Sequence, residues 1–182
     1  MDKTIYSPSD DSYFLSSIIS KELLKIKDKS KLNFLEIGIG SGIQLRNLEK
    51  NKIKKQNIFG ADINSLAVEH CKSQDFNCVI SDLLKNIKGK FDIIIFNPPY
   101  LPRDLKEPKD SQIATTGGKK GSEIINKFLK QAEKHLNEKG SIYLLTSSLT
   151  KDINFQNYKK ILLGEKKLFY EILYVWKLSK IN

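Results

Sequence analysis

Ten residues constrain this chain more than any others: Phe91-Asp92-Ile93-Ile94-Ile95-Phe96-Asn97-Pro98-Pro99-Tyr100. A short, mostly apolar run with three consecutive isoleucines predicts a strand buried on both faces, the kind found inside a parallel sheet. Two prolines lack the N–H that a ladder needs, so the strand must stop at Asn97. It therefore delivers a rigid turn at its carboxyl end, which is where open α/β sheets bind ligands.

That turn has a definite chemistry. Each proline fixes its own φ, and Pro99 restricts Pro98, so little backbone entropy remains to be lost on binding. The Asn97 side-chain carbonyl and the Pro98 main-chain carbonyl are both acceptors. Together they suit a planar NH2 group, and Tyr100 adds an aromatic face for a flat amide or base. The expected ligand is a primary amide or an exocyclic amine.

The rest of the chain reads as alternating helices and strands. A helix is expected from about residue 10 to 26, with Ser9 or Asp10 as its cap and Phe14, Leu15, Ile18, Ile19, Leu23 and Leu24 at helical spacing. Strands are expected at 32–37, 57–61, 76–80, 91–96 and 141–145, with helices after the first, second and fourth. A short helix is expected near 154–162, then apolar segments at 167–170 and 172–178 close enough to contain a hairpin or bulged antiparallel pair. Such alternation predicts a three-layer α/β domain with a mainly parallel sheet, and 182 residues suit one domain with one sizeable core. No apolar run approaches the roughly 20 residues of a bilayer span, and the N-terminus has no apolar signal core, so a cytoplasmic protein is expected. Cys71 and Cys78 are too few for a disulfide framework and read as reduced packing residues.

Between the first strand and its helix lies Glu36-Ile37-Gly38-Ile39-Gly40-Ser41-Gly42. A dinucleotide fingerprint would need glycine at position 43, where Ile43 stands, and no Gly-Lys-Ser/Thr makes a P-loop. The remaining G-x-G-x-G form suits a nucleoside without a pyrophosphate. Asp62, ending the second strand, offers an acceptor pair for two ribose hydroxyls. Asp82, one strand further, offers an acceptor for an adenine amino group. Three such features at successive strand ends predict a nucleoside site.

This ordered set, with Asp62-Ile63-Asn64, Ser81-Asp82-Leu83 and Asn97-Pro98-Pro99-Tyr100, resembles the class I S-adenosylmethionine-dependent methyltransferases that modify planar nitrogens. Within them it is most similar to the HemK-type glutamine methyltransferases, in the branch acting on archaeal and eukaryotic class I translation release factors. Tyr6-x-Pro8-x-Asp10-Asp11-Ser12 before the first helix and Gly117-Gly118-x-x-Gly121 point to the same branch. The resemblance implies a Rossmann-like, seven-stranded sheet in the order 3-2-1-4-5-7-6, with an antiparallel C-terminal strand. It implies one methyltransferase domain over 1–182, with 1–30 closing over the cofactor and 31–182 forming the catalytic core. Glu36, Gly38, Gly40 and Gly42 would hold the methionine part of S-adenosylmethionine, and Asp62, with Ile63 beside it, the ribose. Asp82 and Leu83 would frame the adenine, while Tyr6, Pro8 and Ser12 would close from the N-terminal side. Asn97 and Pro98 would hold the substrate amide next to the cofactor, with Pro99 stiffening the turn and Tyr100 against the amide plane. No metal ligand set is expected.

The acceptor is a glutamine on this reading, and two alternatives stay open. One is an exocyclic amine of adenine or guanine in RNA or DNA, which the same turn would recognise; a DNA enzyme would also have to extrude the base. The other is a non-catalytic scaffold that binds the cofactor. The net charge of +10 favours anionic partners, but it is almost all lysine, with Arg46 and Arg103 the two arginines, and it is scattered. The 101–120 segment is long for a passive connection and is expected to act as a substrate lid. Finally, residues 76–80 should form a sheet edge without the lysine, proline or bulge that protects natural edges. The resemblance implies a small zinc-binding activator protein as a partner, expected to dock there by strand addition.

Overall fold

The computed structural model describes residues 5–103 and 115–181. Its centre is a seven-stranded sheet of β1 (Phe34–Ile37), β2 (Ile58–Asp62), β3 (Asn77–Ile80), β4 (Phe91–Phe96), β5 (Leu136–Ser147), β6 (Tyr158–Lys167) and β7 (Ile172–Lys180). Their order is β3-β2-β1-β4-β5-β7-β6, as the resemblance implied. The first five run parallel, while β7 is antiparallel to both β5 and β6.

The isoleucine run behaves as a doubly buried strand must. Ile93 and Ile95 join one core with Phe34, Leu45, Val68 and the apolar side of α1 (Asp10–Leu24). Ile94 and Phe96 join the other with Leu35, Ile142 and the buried face of α4 (Glu123–His135). Each such side chain contributes about 1.5–3 kcal/mol by leaving water. Helices α2 (Ile43–Lys50) and α3 (Ser65–Lys72) share the first layer with α1. Polar bonds fix the α1–α2 crossing: Ser16 Oγ donates to Gln44 Oε1 at 2.8 Å and Ser20 Oγ to Asn47 Oδ1 at 3.0 Å. Cys71 and Cys78 are buried free thiols in that layer.

Three local expectations are corrected. Ser9 does sit at the N-cap of α1, yet its hydroxyl donates to the Asp11 carboxylate rather than capping a backbone N–H. Most of the region expected to be a helix near 154–162 belongs to β6, because pairing along β7 satisfies its backbone from Tyr158 to Lys167. The expected bulged antiparallel pair is present, but its first arm lies earlier, and the apolar segment at 167–170 is largely the turn between β6 and β7, closed by Leu168 N–H on Glu171 C=O at 2.8 Å. A bulge between Leu162 and Gly164 lets β6 pass over α1, where a Cβ on Gly164 would meet Ile18 Cδ1 at 2.8 Å.

Either side of the long segment, Leu101–Pro102 pairs with Thr116–Gly118 in a short parallel ladder. Most of the expected lid, residues 104–114, lies outside the described residues. No described helix is long and apolar enough to cross a membrane.

Candidate active site

At the end of β4, the Asn97 side chain reaches the N-terminus of α1. Its Nδ2 donates to Asp11 Oδ2 at 3.1 Å, while its Oδ1 is buried with no hydrogen-bond partner. An ionised carboxylate can only accept, so Asp11 dictates which end of the amide faces it. The carbonyl end is left as an uncommitted acceptor, and a buried polar atom in that state costs about 1–3 kcal/mol until something fills it.

Asp11 is itself a hub. It is 7% exposed and accepts from Tyr6 OH at 3.2 Å, Ser9 Oγ at 2.6 Å and Ser12 Oγ at 3.1 Å. Sequence reasoning named Asp11 within the N-terminal pattern but gave it no task. The one available signal was an acidic residue in the first turn of a helix, which ordinarily means only favourable interaction with the helix dipole.

The turn beyond Asn97 is clasped from behind. Pro98 is buried and Tyr100 half-buried. Thr150 Oγ1 donates to the Tyr100 carbonyl at 2.9 Å. Gly117 and Gly121 run so close that a Cβ would lie 2.6 Å from Pro99 O in one case and 2.3 Å from Tyr100 O in the other. No side chain fits at either position, which gives the Gly-Gly-x-x-Gly pattern a physical reason. Burial, then the carboxylates of Asp11 and Glu171, push the Tyr100 phenol well above its ordinary value. It stays neutral.

On the other side of Asn97 lies the glycine loop. Gly38 N–H donates to Ala61 C=O at 2.8 Å, and Gly40 takes a left-handed φ of 47° beneath Tyr6, whose Cβ would be 3.5 Å from a Cβ there. The N-terminal segment therefore lies against the loop. Asp62 Oδ2 accepts from Gly40 N–H at 2.9 Å and Oδ1 from Asn64 N–H at 2.8 Å, leaving each oxygen a second lone pair. Glu36 is 2% exposed, with Oε2 unpartnered. Burial, then the Cys71 thiol and the Asp62 carboxylate, hold its carboxyl well above the usual range. A cationic ligand group would suit it.

Asp82 stands further along and faces α4, paired with Lys127 at 2.8 Å and Lys85 at 2.6 Å; the Lys127 contact, then Lys85, lowers its carboxyl. Next to it Leu83 adopts φ 54°, an uncommon strain for a non-glycine residue and one that often marks a ligand site. Ile63 is 62% exposed beside Asp62. Pro8 is half-buried and Ser12 buried. The two histidines lie away from these groups: His70 contacts Gln74, and His135 Nδ1 lies 3.0 Å from the Gly89 carbonyl.

The methyltransferase small domain family matches residues 16–169. MJ0928 of Methanocaldococcus jannaschii, assigned by name as a protein N5-glutamine methyltransferase, is 40% identical over 154 residues, covering 80% of this chain and 74% of that protein. The chain belongs to the HemK-type protein glutamine methyltransferases. The eRF1 methyltransferase catalytic subunit mtq2 of Schizosaccharomyces pombe is 27% identical to this family member over 173 residues, covering 81% of this chain and 74% of that one. Among solved structures, the E. cuniculi Mtq2-Trm112 complex, responsible for methylation of the eRF1 translation termination factor, superposes with a TM-score of 0.75. That match has 26% identity and covers 97% of this methyltransferase and 99% of the matched chain.

Proposed function

We propose that this methyltransferase transfers a methyl group from S-adenosylmethionine to the side-chain amide nitrogen of a glutamine in a class I translation release factor. The observation that carries the reading is the buried, unpartnered Asn97 Oδ1, held in its acceptor orientation by Asp11. An atom so placed accepts one N–H of a primary amide, and the Pro98 carbonyl is the second acceptor. The cofactor supplies an electrophilic methyl on a sulfonium. On methyl transfer, positive charge would build on the amide nitrogen, and the two acceptors would stabilise it. In-line positioning, to which the proline-stiffened turn contributes, can supply about 7–11 kcal/mol of a barrier reduction. The resulting cationic amide loses its proton to water without a strong base. Tyr100, neutral at any working pH, serves as a flat wall for the amide.

The cofactor side follows the same logic. Glu36, with Gly38, Gly40 and Gly42, holds the methionine end, where a cationic ammonium favours the ionised carboxylate. The spare lone pairs of Asp62 accept the ribose hydroxyls. Ile63, Asp82 and Leu83 surround the adenine, and Tyr6, Pro8 and Ser12 close the site. Residues 1–30 act as the closing segment and 31–182 as the catalytic core of one domain. A release-factor substrate implies a cytoplasmic enzyme.

A small zinc-binding activator protein docks along the free edge of β3. Among the described residues only β2 pairs with that strand, and Val79 and Ile80 are 42% and 51% exposed. Ser81 N–H donates inward to Asp62 C=O at 2.8 Å, so alternation turns the amides of Cys78 and Ile80 outward, away from β2, while the outward Ile80 carbonyl accepts from Asn86 Nδ2 at 2.9 Å. Such an edge is a template for strand addition.

The deciding experiment is a labelled methyl-transfer assay offering release factor, RNA and DNA in parallel, with the activator present. Label is expected in release factor, and Asn97→Ala should lower turnover at least ~100-fold, the usual loss on removing a preorganised polar contact. Label confined to RNA or DNA would refute the glutamine assignment.

A further inference from the structure

Turn 168–171 joins β6 to β7 and is tied to the acceptor site from two directions. Just before it, Lys166 Nζ donates to Asp10, the neighbour of Asp11. Just after it, Ile172 N–H donates to Ser148 Oγ at 3.0 Å and Ser148 N–H to Ile172 C=O at 2.8 Å. Ser148 belongs to the turn whose Thr150 holds the Tyr100 carbonyl. The tip thus stands beside the mouth through which an acceptor amide must reach Asn97.

Three side chains there have no use in the described fold. Phe169 and Tyr170 are 99% and 91% exposed, with rings 6.3 Å apart. Adjacent bare aromatics add nothing to the core and are the side-chain types that anchor protein interfaces. Between them and Tyr100, Glu171 keeps a buried Oε2 with no hydrogen-bond partner. Its carboxylate is close enough to help raise the Tyr100 phenol. Asp10, Lys167 and Leu168 complete an open hollow with these three residues.

We infer that this hollow is the docking lip for the protein loop bearing the acceptor glutamine, with Glu171 accepting a backbone N–H of that loop and Phe169 and Tyr170 packing its apolar side chains. The inference rests on glutamine methylation as proposed above and adds the surface that selects the acceptor. Charge favours a peptide over a nucleic acid: Lys166 is already paired with Asp10, and the hollow is lined by the carboxylates of Asp10 and Glu171 against the one cation of Lys167. A phosphate backbone would be repelled by the carboxylates of that lining, whereas a peptide N–H can be accepted by one of them.

The test uses the full chain with its activator and release factor as acceptor. Glu171→Ala and the double variant Phe169→Ala/Tyr170→Ala are compared with wild type in KM, kcat, S-adenosylmethionine affinity by calorimetry, and Tm. Each variant should raise the KM for release factor on the order of 10-fold, the effect of truncating an interface anchor. Values of kcat, cofactor affinity and Tm should stay near wild type. Unchanged KM in either variant, or an equal loss of cofactor affinity, overturns the lip while leaving glutamine methylation standing. A wild-type enzyme that leaves release factor unlabelled overturns the proposed function first and the lip with it.

Discussion

Asp11→Asn is the most discriminating change the structure offers, because it keeps the shape of the side chain and removes its charge. The carboxylate accepts hydrogen bonds from Tyr6, Ser9, Ser12 and Asn97 while 7% exposed. An amide in its place has one accepting oxygen and one donating NH2, so at least one donor is set against another donor. The contact with Asn97 then no longer favours one amide orientation over its flipped form. A hydrogen bond to a charged group is worth about 1.5–3 kcal/mol. At 1.36 kcal/mol per tenfold in rate, losing the control of Asn97 should lower kcat about 10- to 150-fold. Asp11→Ala should act similarly. The assay is a cycle of Asp11→Asn, Asn97→Ala and the double variant, read in kcat at saturating cofactor. If Asp11 acts through Asn97, the double variant should be no slower than Asn97→Ala alone. Multiplicative losses would mean that Asp11 acts elsewhere and would refute the orientation argument.

Other consequences are equally direct. Asp62→Ala should weaken S-adenosylmethionine binding by about 1–3 kcal/mol in calorimetry, since the carboxylate braces the glycine loop as well as facing the ribose; unchanged affinity would remove it from the cofactor site. Glu36 has a folded pKa raised by burial, so its contribution to ligand-free stability is present below the ordinary carboxyl value of about 4.3 and is lost as pH climbs toward the folded value. Glu36→Gln should flatten that pH dependence of Tm. It should also abolish proton release on cofactor binding, measured by calorimetry in buffers of different ionisation enthalpy. Ile80→Pro removes an outward amide of β3 without touching its bond to β2, and should abolish copurification with the activator while sparing cofactor affinity; persistent copurification would put the interface elsewhere.

What the sequence disclosed was what local chemistry decides. The β4 isoleucines and the prolines after Asn97 carry their meaning within ten residues, and so do the glycines after Glu36, which have to take left-handed conformations. Residues 154–162 were misleading because Phe155, Tyr158 and Leu162 also fit a helical period. The strand state from Tyr158 onward is set by β7, and Phe155, just ahead of it, packs on Trp176 with Lys160 over both rings. Asp11 was unreadable for a similar reason. Its decisive partner, Asn97, lies 86 positions away, and no spacing rule reaches that far. The exposed Phe169 and Tyr170 looked like part of the hairpin because apolar type alone does not reveal that no described residue covers them.

The dependence of Asn97 on a residue ahead of the first strand gives the N-terminal segment a practical weight. A fragment begun at Ser12 would retain every strand of the large sheet and most of both cores, and by the usual standards of expression it could pass as a well-folded protein. It would nevertheless lack the carboxylate that aims the acceptor and the tyrosine that covers the glycine loop. Trimming those eleven residues for crystallisation would be a silent knock-out, and its inactivity would be blamed on a missing partner.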